Sequence, residues 1–191
     1  LDGYSLILTN GRLQLNLVKR WLDDALRVET ETTLPSNRWH HVLATYDGSR
    51  VAEGVRIYVD GKPVRLRVNL DELNQSFKTS EPFRIGSGGG SETRFRGMID
   101  DVRVYNRVVS GDEAAGISTS ELISEIVSIA PDRRSPEQAL KLRAYFLENC
   151  APESIRRARA TAAKLLSQRE EFMESLPTTM VMEEMKPARD T

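Results

Sequence analysis

The residues best suited to bind a ligand lie in one short polar segment, residues 19–24 (KRWLDD). Trp21 supplies an aromatic ring, Arg20 a guanidinium and Asp23 a carboxylate. A ring can stack on the flat face of a ligand while charged groups bond its polar atoms, and loops commonly carry such sites. We therefore predict a ligand contact at these three residues. The alternative is that Trp21 caps the hydrophobic core.

Other kinds of site lack the residues that they need. Covalent haem attachment requires two thiols and a histidine in Cys-x-x-Cys-His, and Cys150 is the single cysteine, so we expect no haem in this chain. His40 and His41 are neighbours in a predicted strand, where adjacent side chains point to opposite faces and do not converge on one metal. The glycine-rich residues 86–90 lack the Lys-Ser or Lys-Thr pair of a phosphate-binding loop, so a plain connecting loop is expected.

The charge balance argues against nucleic acid as a partner, and the apolar pattern argues against a membrane span. The chain has 27 basic and 28 acidic side chains, which leaves no net field to attract nucleic acid. A local basic cluster at residues 156–159 is interrupted by Ala158 and is interpreted as a solvated helix face. The sequence contains no apolar run long enough to predict a membrane span.

The elements that position these groups follow from the apolar pattern. Between Tyr4 and Tyr105, short runs rich in Val, Ile, Leu and Tyr alternate with turn dipeptides, as in antiparallel strands. The dipeptides at residues 10–11 and 60–61, Asn-Gly and Asp-Gly, suit type I′ turns and predict two hairpins. Strands are predicted near residues 4–8, 12–18, 25–31, 39–46, 55–59, 62–67, 83–86 and 97–105.

Four sequence blocks resemble one known family, in the family's order. They are residues 38–48 (RWHHVLATYDG), 55–64 (VRIYVDGKPV), 83–86 (FRIG) and 95–107 (FRGMIDDVRVYNR). The first two resemble the central hairpins, and the last two the final core strands, of the laminin-G-like, concanavalin-A-like jelly roll. The resemblance implies a mainly β fold, an antiparallel jelly-roll β-sandwich over residues 1–117. It also implies a location outside the cytoplasm and a carbohydrate partner. The family has further strands before the position of Leu1, so we expect a partial sandwich whose N-terminal strands are missing.

The resemblance has consequences for metals and catalysis. In the family, a carboxylate on the penultimate strand often holds a structural calcium, a cation that prefers oxygen ligands. Asp100 and Asp101 occupy that position and are candidate calcium ligands; in the alternative, one faces solvent and the other accepts backbone N–H groups. The related glucanases carry a Glu-x-Asp-x-x-Glu motif that this sequence lacks, so we expect no enzyme activity. Trp39 opens the best-matched strand, and its ring is expected to be buried.

After Tyr105 the apolar period changes from two to about 3.6, which predicts helices. Residues 118–120 can cap a first helix that ends before Pro131. Ser135, Pro136 and Gln138 form a strong start signal for a second helix that runs to about Cys150. A third helix is predicted from Pro152 to Leu176. It carries a narrow apolar seam that favours docking onto a neighbouring helix or domain: Ile155, Ala158, Ala162, Leu165, Arg169, Phe172 and Leu176.

A second resemblance covers the C-terminal part. Residues 134–138 (RSPEQ), 142–147 (LRAYFL) and 175–184 (SLPTTMVMEE) are similar to segments of large exported planctomycete proteins. Those proteins combine a cytochrome-c domain, two planctomycete-specific domains of unknown function and sometimes an inserted laminin-G-like sandwich. The resemblance implies a helical connector over residues 118–176 and the start of the C-terminal planctomycete-specific domain at 177–191. The other domains of the parent chain are then partners of the helical segment.

Two functions of different class remain. The first is a non-catalytic recognition module for carbohydrate binding or adhesion. The second is a structural spacer or docking domain without a ligand of its own. Aromatic residues bear on the choice. Tyr46, Tyr58, Phe83 and Tyr105 are expected in core strands, which leaves Trp21 as the best free ring.

Overall fold

The computed structural model describes residues 2–88 and 94–176 of the 191-residue chain. In these residues the N-terminal part is antiparallel β-structure and the C-terminal part is helical. The strands are β1 (Gly3–Thr9), β2 (Arg12–Arg20), β3 (Asp24–Thr30), β4 (Val42–Tyr46), β5 (Val55–Val59), β6 (Lys62–Pro63) and β7 (Leu66–Asp71). One sheet has the order β1-β2-β3-β7 and the other the order β4-β5-β6. The predicted fold class, an antiparallel β-sandwich followed by helices, is confirmed.

Both predicted hairpin turns are present. Asn10 and Gly11 have φ angles of 52° and 76°, and Asp60 and Gly61 have φ angles of 51° and 76°. Two successive residues with positive φ define a type I′ turn, whose twist matches that of paired strands. Gly61 is also required by packing, because a Cβ atom there would lie 2.9 Å from the Cα atom of Ala115.

The main core lies between the two sheets. Alternate residues of β2 and β3 point inward, because successive side chains of a strand face opposite sides. They meet the inward residues of β5. The buried members of this cluster are Leu13, Leu15, Leu17, Leu26, Val28, Ala52, Val55, Ile57 and Leu73.

A second, smaller core lies on the other face of the β4–β5 hairpin. Leu43, Tyr58, Val109 and Ala114 are buried together there, with Ile117 packed against them. Ala114 and Ile117 belong to helix α1 (Gly111–Ser118), which the sequence analysis did not predict. Ser110 and Glu113 begin this helix through a reciprocal capping box. The short sheet is therefore covered on both faces.

Three further helices follow: α2 (Ile123–Ser128), α3 (Pro136–Tyr145) and α4 (Glu153–Ser175). The predicted start at Ser135 is confirmed, because its side chain accepts a hydrogen bond from the Gln138 amide and Pro136 is the first helical residue. A π-helical turn, Phe146–Cys150, continues α3 to the predicted end. The predicted tail domain, residues 177–191, lies outside the described residues.

The prediction of strands at residues 83–86 and 97–105 is wrong for the structure described here. Neither segment is a strand, and the described chain nearby has only an isolated bridge between Ser87 and Arg94. An alternating apolar pattern favours an extended backbone, but a strand also needs a neighbouring backbone to bond. Phe83 is accordingly 57% exposed and Tyr105 38% exposed, so neither ring lies in a core strand.

Candidate functional site

The predicted binding residues lie at the turn between β2 and β3. Arg20 is the last residue of β2, residues 21–23 form the turn, and a register shift between Val18 and Arg20 alters the strand at this end. The Nε atom of Arg20 lies 3.1 Å from the Oδ1 atom of Asp23. Both side chains are more than 60% exposed, so this ion pair contributes little to stability and leaves both groups open to a ligand.

Trp21 is held beside these groups and remains accessible. The residue is 49% exposed, and the guanidinium carbon of Arg27 lies 4.5 Å from the centre of its ring. That distance is within the range of a cation–π contact. Arg27 is on β3, so the sheet supports the position of an otherwise exposed ring. The sequence analysis missed Arg27, whose position six residues beyond Trp21 gives no helical or strand spacing that would pair them.

Asp24 fixes the position of the turn through hydrogen bonds to a distant part of the chain. It is 1% exposed, and its Oδ1 atom accepts hydrogen bonds from the amides of Asn74 at 2.8 Å and Gln75 at 3.2 Å. Its Oδ2 atom has no partner. These bonds tie the segment after β7 to the start of β3. The sequence analysis selected Asp23 and gave Asp24 no role of its own; the fold exposes the Asp23 carboxylate and buries that of Asp24.

Polar groups extend from Arg27 across the same face of the sheet. Asn16 is directly opposite Arg27, and Ser5 is directly opposite Asn16. The Nδ2 atom of Asn16 donates to the Ser5 hydroxyl at 3.2 Å. The Asn16 Oδ1 and Arg27 Nε atoms are buried without hydrogen-bond partners. Polar side chains thus continue from Arg27 across β2 to β1 on this face of the sheet.

A second cluster surrounds Asp60 in the β5–β6 turn. Its Oδ2 atom is 2.9 Å from His40 Nδ1, and its Oδ1 atom accepts from the His41 amide at 2.9 Å. Burial opposes ionisation of Asp60, but the bonds from His40 and His41 and the nearby charge of Arg38 outweigh it and lower its pKa. The Nδ1 atom of His41 is buried without a partner. Asp60 therefore holds the turn against the chain that enters β4.

Asp100 and Asp101 lie outside any strand. The carboxylate of Asp101 receives two bonds of 2.7 Å from the guanidinium of Arg103, which raises the pKa of Arg103. The Oδ1 atom of Asp100 accepts from the Asp101 amide at 2.8 Å. Among the described residues, no group of three or more His, Cys, Asp or Glu converges as a metal site. Calcium binding at Asp100 and Asp101 stays a prediction.

The prediction that the Trp39 ring is buried is wrong. Its residue is 60% exposed and precedes β4, which begins at Val42. The strand was predicted to begin at residue 39. Because the chain reaches the sheet only three residues later, the opposing sheet does not cover this ring. Two exposed tryptophans, at positions 21 and 39, are therefore present.

A laminin-G-type family model, described as the concanavalin A-like lectin/glucanases superfamily, matches residues 2–115. The chain belongs to this superfamily. The match covers the seven strands named above and most of α1. It begins at the first described residue and ends within the helix that closes the small core.

Two individual proteins are similar to parts of this chain. The adhesion G-protein coupled receptor V1 of Danio rerio is 32% identical over 78 residues, which are 40% of this chain and 1% of the receptor. A crystal structure of an S-layer domain-containing protein from Clostridium thermocellum ATCC 27405 is 23% identical and covers 57% of this chain and 52% of its own. Its TM-score of 0.34 is too low to establish a shared arrangement. In the described part of the chain, no helix is long and apolar enough to cross a membrane.

Proposed function

We propose that this chain is a non-catalytic recognition module that binds carbohydrate through the β2–β3 turn. The observation that carries the proposal is the half-exposed Trp21 ring, held by Arg27 next to the exposed Arg20 and Asp23. A ring held in place loses little conformational freedom on binding, which favours stacking on a sugar face. Arg20 and Asp23 provide a donor and an acceptor for hydroxyl groups at its edge.

Membership of the superfamily supports a recognition role, and the receptor that resembles this chain is named as an adhesion protein. On the same grounds we propose that the module acts outside the cytoplasm. We further propose that it belongs to a larger exported planctomycete protein of the cytochrome-c type. In that protein, the helical segment would contact the other domains of the parent chain.

Calcium is the proposed cofactor, with Asp100 and Asp101 as candidate ligands. For Asp101 to bind the cation, its carboxylate must exchange the Arg103 guanidinium for calcium, since both of its oxygens are bonded to Arg103. Asp100 uses one oxygen for a local amide and retains the other. A ligand-binding assay with and without calcium therefore forms part of the test.

The alternative is a spacer or docking domain without a ligand. It is favoured by the exposed apolar residues on the helices, such as Val127 at 55% and Phe172 at 62% exposed. Such surfaces suit contacts with other protein elements. A sugar-binding module needs the Trp21 ring for its ligand, whereas a spacer does not.

A glycan array with the 191-residue chain, repeated in calcium and in chelator, tests the proposal. The variants are Trp21→Ala and the matched control Trp39→Ala, which removes an equally large exposed ring from another site. We expect Trp21→Ala to lose binding at least tenfold and Trp39→Ala to keep it. Circular dichroism of each variant verifies folding.

Three results would count against the proposal. If the parent chain binds no glycan, the spacer function is favoured. If Trp21→Ala remains folded and binds as the parent does, the sugar site lies elsewhere. If only Trp39→Ala loses binding, the loop before β4 is the site.

A further inference from the structure

Helix α4 has an apolar seam that remains accessible along its length. Ile155, Leu165, Phe172 and Leu176 retain between 40% and 62% of their surface. The helix begins at Glu153 and spans 23 residues, about 34 Å at 1.5 Å per residue. Leu166 and Met173 widen the seam on one side and are also half exposed. A surface of this kind on a soluble helix indicates a protein contact.

The spacing of the seam is compatible with an antiparallel copy of itself. Apolar positions recur alternately at three and four residues, which is the pattern of helices that pack knobs into holes. A two-fold axis between Ala163 and Lys164 matches six of the seven seam positions with one another, and Leu176 lies beyond the paired stretch. The facing pairs are Ile155 with Phe172, Ala158 with Arg169, and Ala162 with Leu165. In two of these pairs a long side chain, Arg169 or Leu165, faces a small alanine. The charged residue of the seam therefore faces no second charge.

The order of charges selects the antiparallel orientation. The N-terminal half of α4, residues 153–164, has four basic residues and one acidic residue. The C-terminal half, residues 165–175, has three acidic residues and one basic residue. Antiparallel pairing places the basic half of one helix along the acidic half of the other, whereas parallel pairing places like charges together.

This charge order is unfavourable for an isolated helix. The N-terminus of a helix carries partial positive charge and the C-terminus partial negative charge, so basic residues near the start and acidic residues near the end oppose the dipole. A second, antiparallel helix removes this conflict, because its own acidic half lies beside the basic half of the first. Arg159, which is 3.6 Å from Glu113 of α1, lies beside the seam and leaves it free.

We propose that α4 of one chain pairs with α4 of a second copy in an antiparallel two-helix interface. The facing residues are those named above, and Leu165 lies close to the symmetry axis. This inference is independent of the proposed glycan site, which lies on the first sheet.

Analytical ultracentrifugation of the 191-residue chain tests the interface. We expect a concentration-dependent dimer that dissociates more readily at high salt, because screening weakens the paired charges. Leu165→Glu introduces a charge near the axis and is expected to weaken dimerisation at least tenfold. Ala160→Glu is the matched control, because position 160 lies on the opposite side of the helix from the seam.

Orientation is measured on the native thiol. Cys150 is exposed and is the single cysteine of the chain, so a spin label on it gives one distance per dimer. Antiparallel pairing places the two copies of Glu153, where the helices start, about 32 Å apart along the axis, so the labels just before them are expected at a long distance, above about 25 Å. Parallel pairing places them about 10–20 Å apart, near the spacing of packed helices.

Several outcomes overturn the proposal. A monomer at every concentration tested excludes the interface. A dimer that persists in folded Leu165→Glu uses another surface. A distance of about 10–20 Å between the two labels shows that the helices pair in parallel. Equal loss of dimer in Leu165→Glu and Ala160→Glu shows that the seam has no special role.

Discussion

The guanidinium carbon of Arg27 lies 4.5 Å from the centre of the Trp21 ring. This contact joins a strand residue to a turn residue and holds an aromatic ring that is still half exposed. It therefore explains how a short polar turn can present a fixed surface. The strength of the contact is measurable.

A double-mutant cycle of Trp21→Ala and Arg27→Ala measures the coupling between the two side chains. We expect a coupling free energy of about 0.5–1 kcal/mol, the usual size of a cation–π contact at an exposed site. Urea unfolding of the four proteins supplies the values. A coupling indistinguishable from zero would mean that the stacking does not hold the ring.

Asp24→Ala is expected to lower the free energy of unfolding by about 1–3 kcal/mol, because the amides of Asn74 and Gln75 then lose their carboxylate acceptor. The neighbouring Asp23→Ala is the control. Its carboxylate is exposed, so we expect a change within about 0.5 kcal/mol. Chemical denaturation compares the two variants, and equal effects would contradict the positioning role of Asp24.

Leu26→Ala is expected to lower the free energy of unfolding by about 2–5 kcal/mol, since Leu26 is fully buried between the sheets and truncation leaves a cavity. Leu22→Ala removes the same atoms from a residue that is 82% exposed. Its effect should be close to zero. A small effect of Leu26→Ala would show that the two sheets do not pack as described.

Acid should destabilise the fold below about pH 6.5 through His41. Burial, aided by the charge of Arg103, lowers the pKa of His41 from its ordinary value, although Asp60 and Asp101 act in the opposite direction. The unfolded chain then binds the proton more readily than the folded chain, so stability is full above the unfolded pKa and falls as the pH decreases. Urea unfolding between pH 7.5 and 5 measures the slope, which should be smaller in His41→Gln. An unchanged slope in that variant would assign the effect to another group.

A second acid-sensitive range should begin near pH 4 because of Asp60. Its pKa is lowered in the folded chain, so its contribution to stability is present above the unfolded pKa and disappears as the pH falls through the folded one. Asp60→Asn should be less stable than the parent at neutral pH and should lose less stability in acid. Asp23→Asn, in an exposed carboxylate, serves as the comparison. If both variants have the same pH profile as the parent, the bonds to His40 and His41 do not stabilise the turn.

Local signals in the sequence predicted much of the fold correctly. The turn at Asn10 and Gly11 needs only positive φ, which those residue types adopt at low cost. The start of α3 needs a capping serine, a proline and a glutamine at set positions, and all three lie within four consecutive residues. Such features depend on bonds within a few residues, so spacing is enough to predict them.

The candidate site was predicted only in part, because its contacts join residues that are distant in the sequence. The polar turn was recognised from residues 19–24, but its support comes from Arg27 and from the loop at Asn74, which is distant in sequence. The exposure of Trp39 was also missed, because a strand pattern does not reveal where the chain joins the sheet. Contacts of this kind depend on which elements meet in space.

The sequence by itself determined the antiparallel β-structure, its type I′ turns, the helices after residue 118 and the polar turn that carries Trp21. These follow from periodicity and local bonding, which act over a few residues. Only the tertiary structure decided which carboxylate of residues 23 and 24 is buried, which cation stacks on Trp21, and that residues 83–86 and 97–105, all of them described, form no strand. Burial and strand pairing depend on partners that are far away along the chain, so no local pattern specifies them.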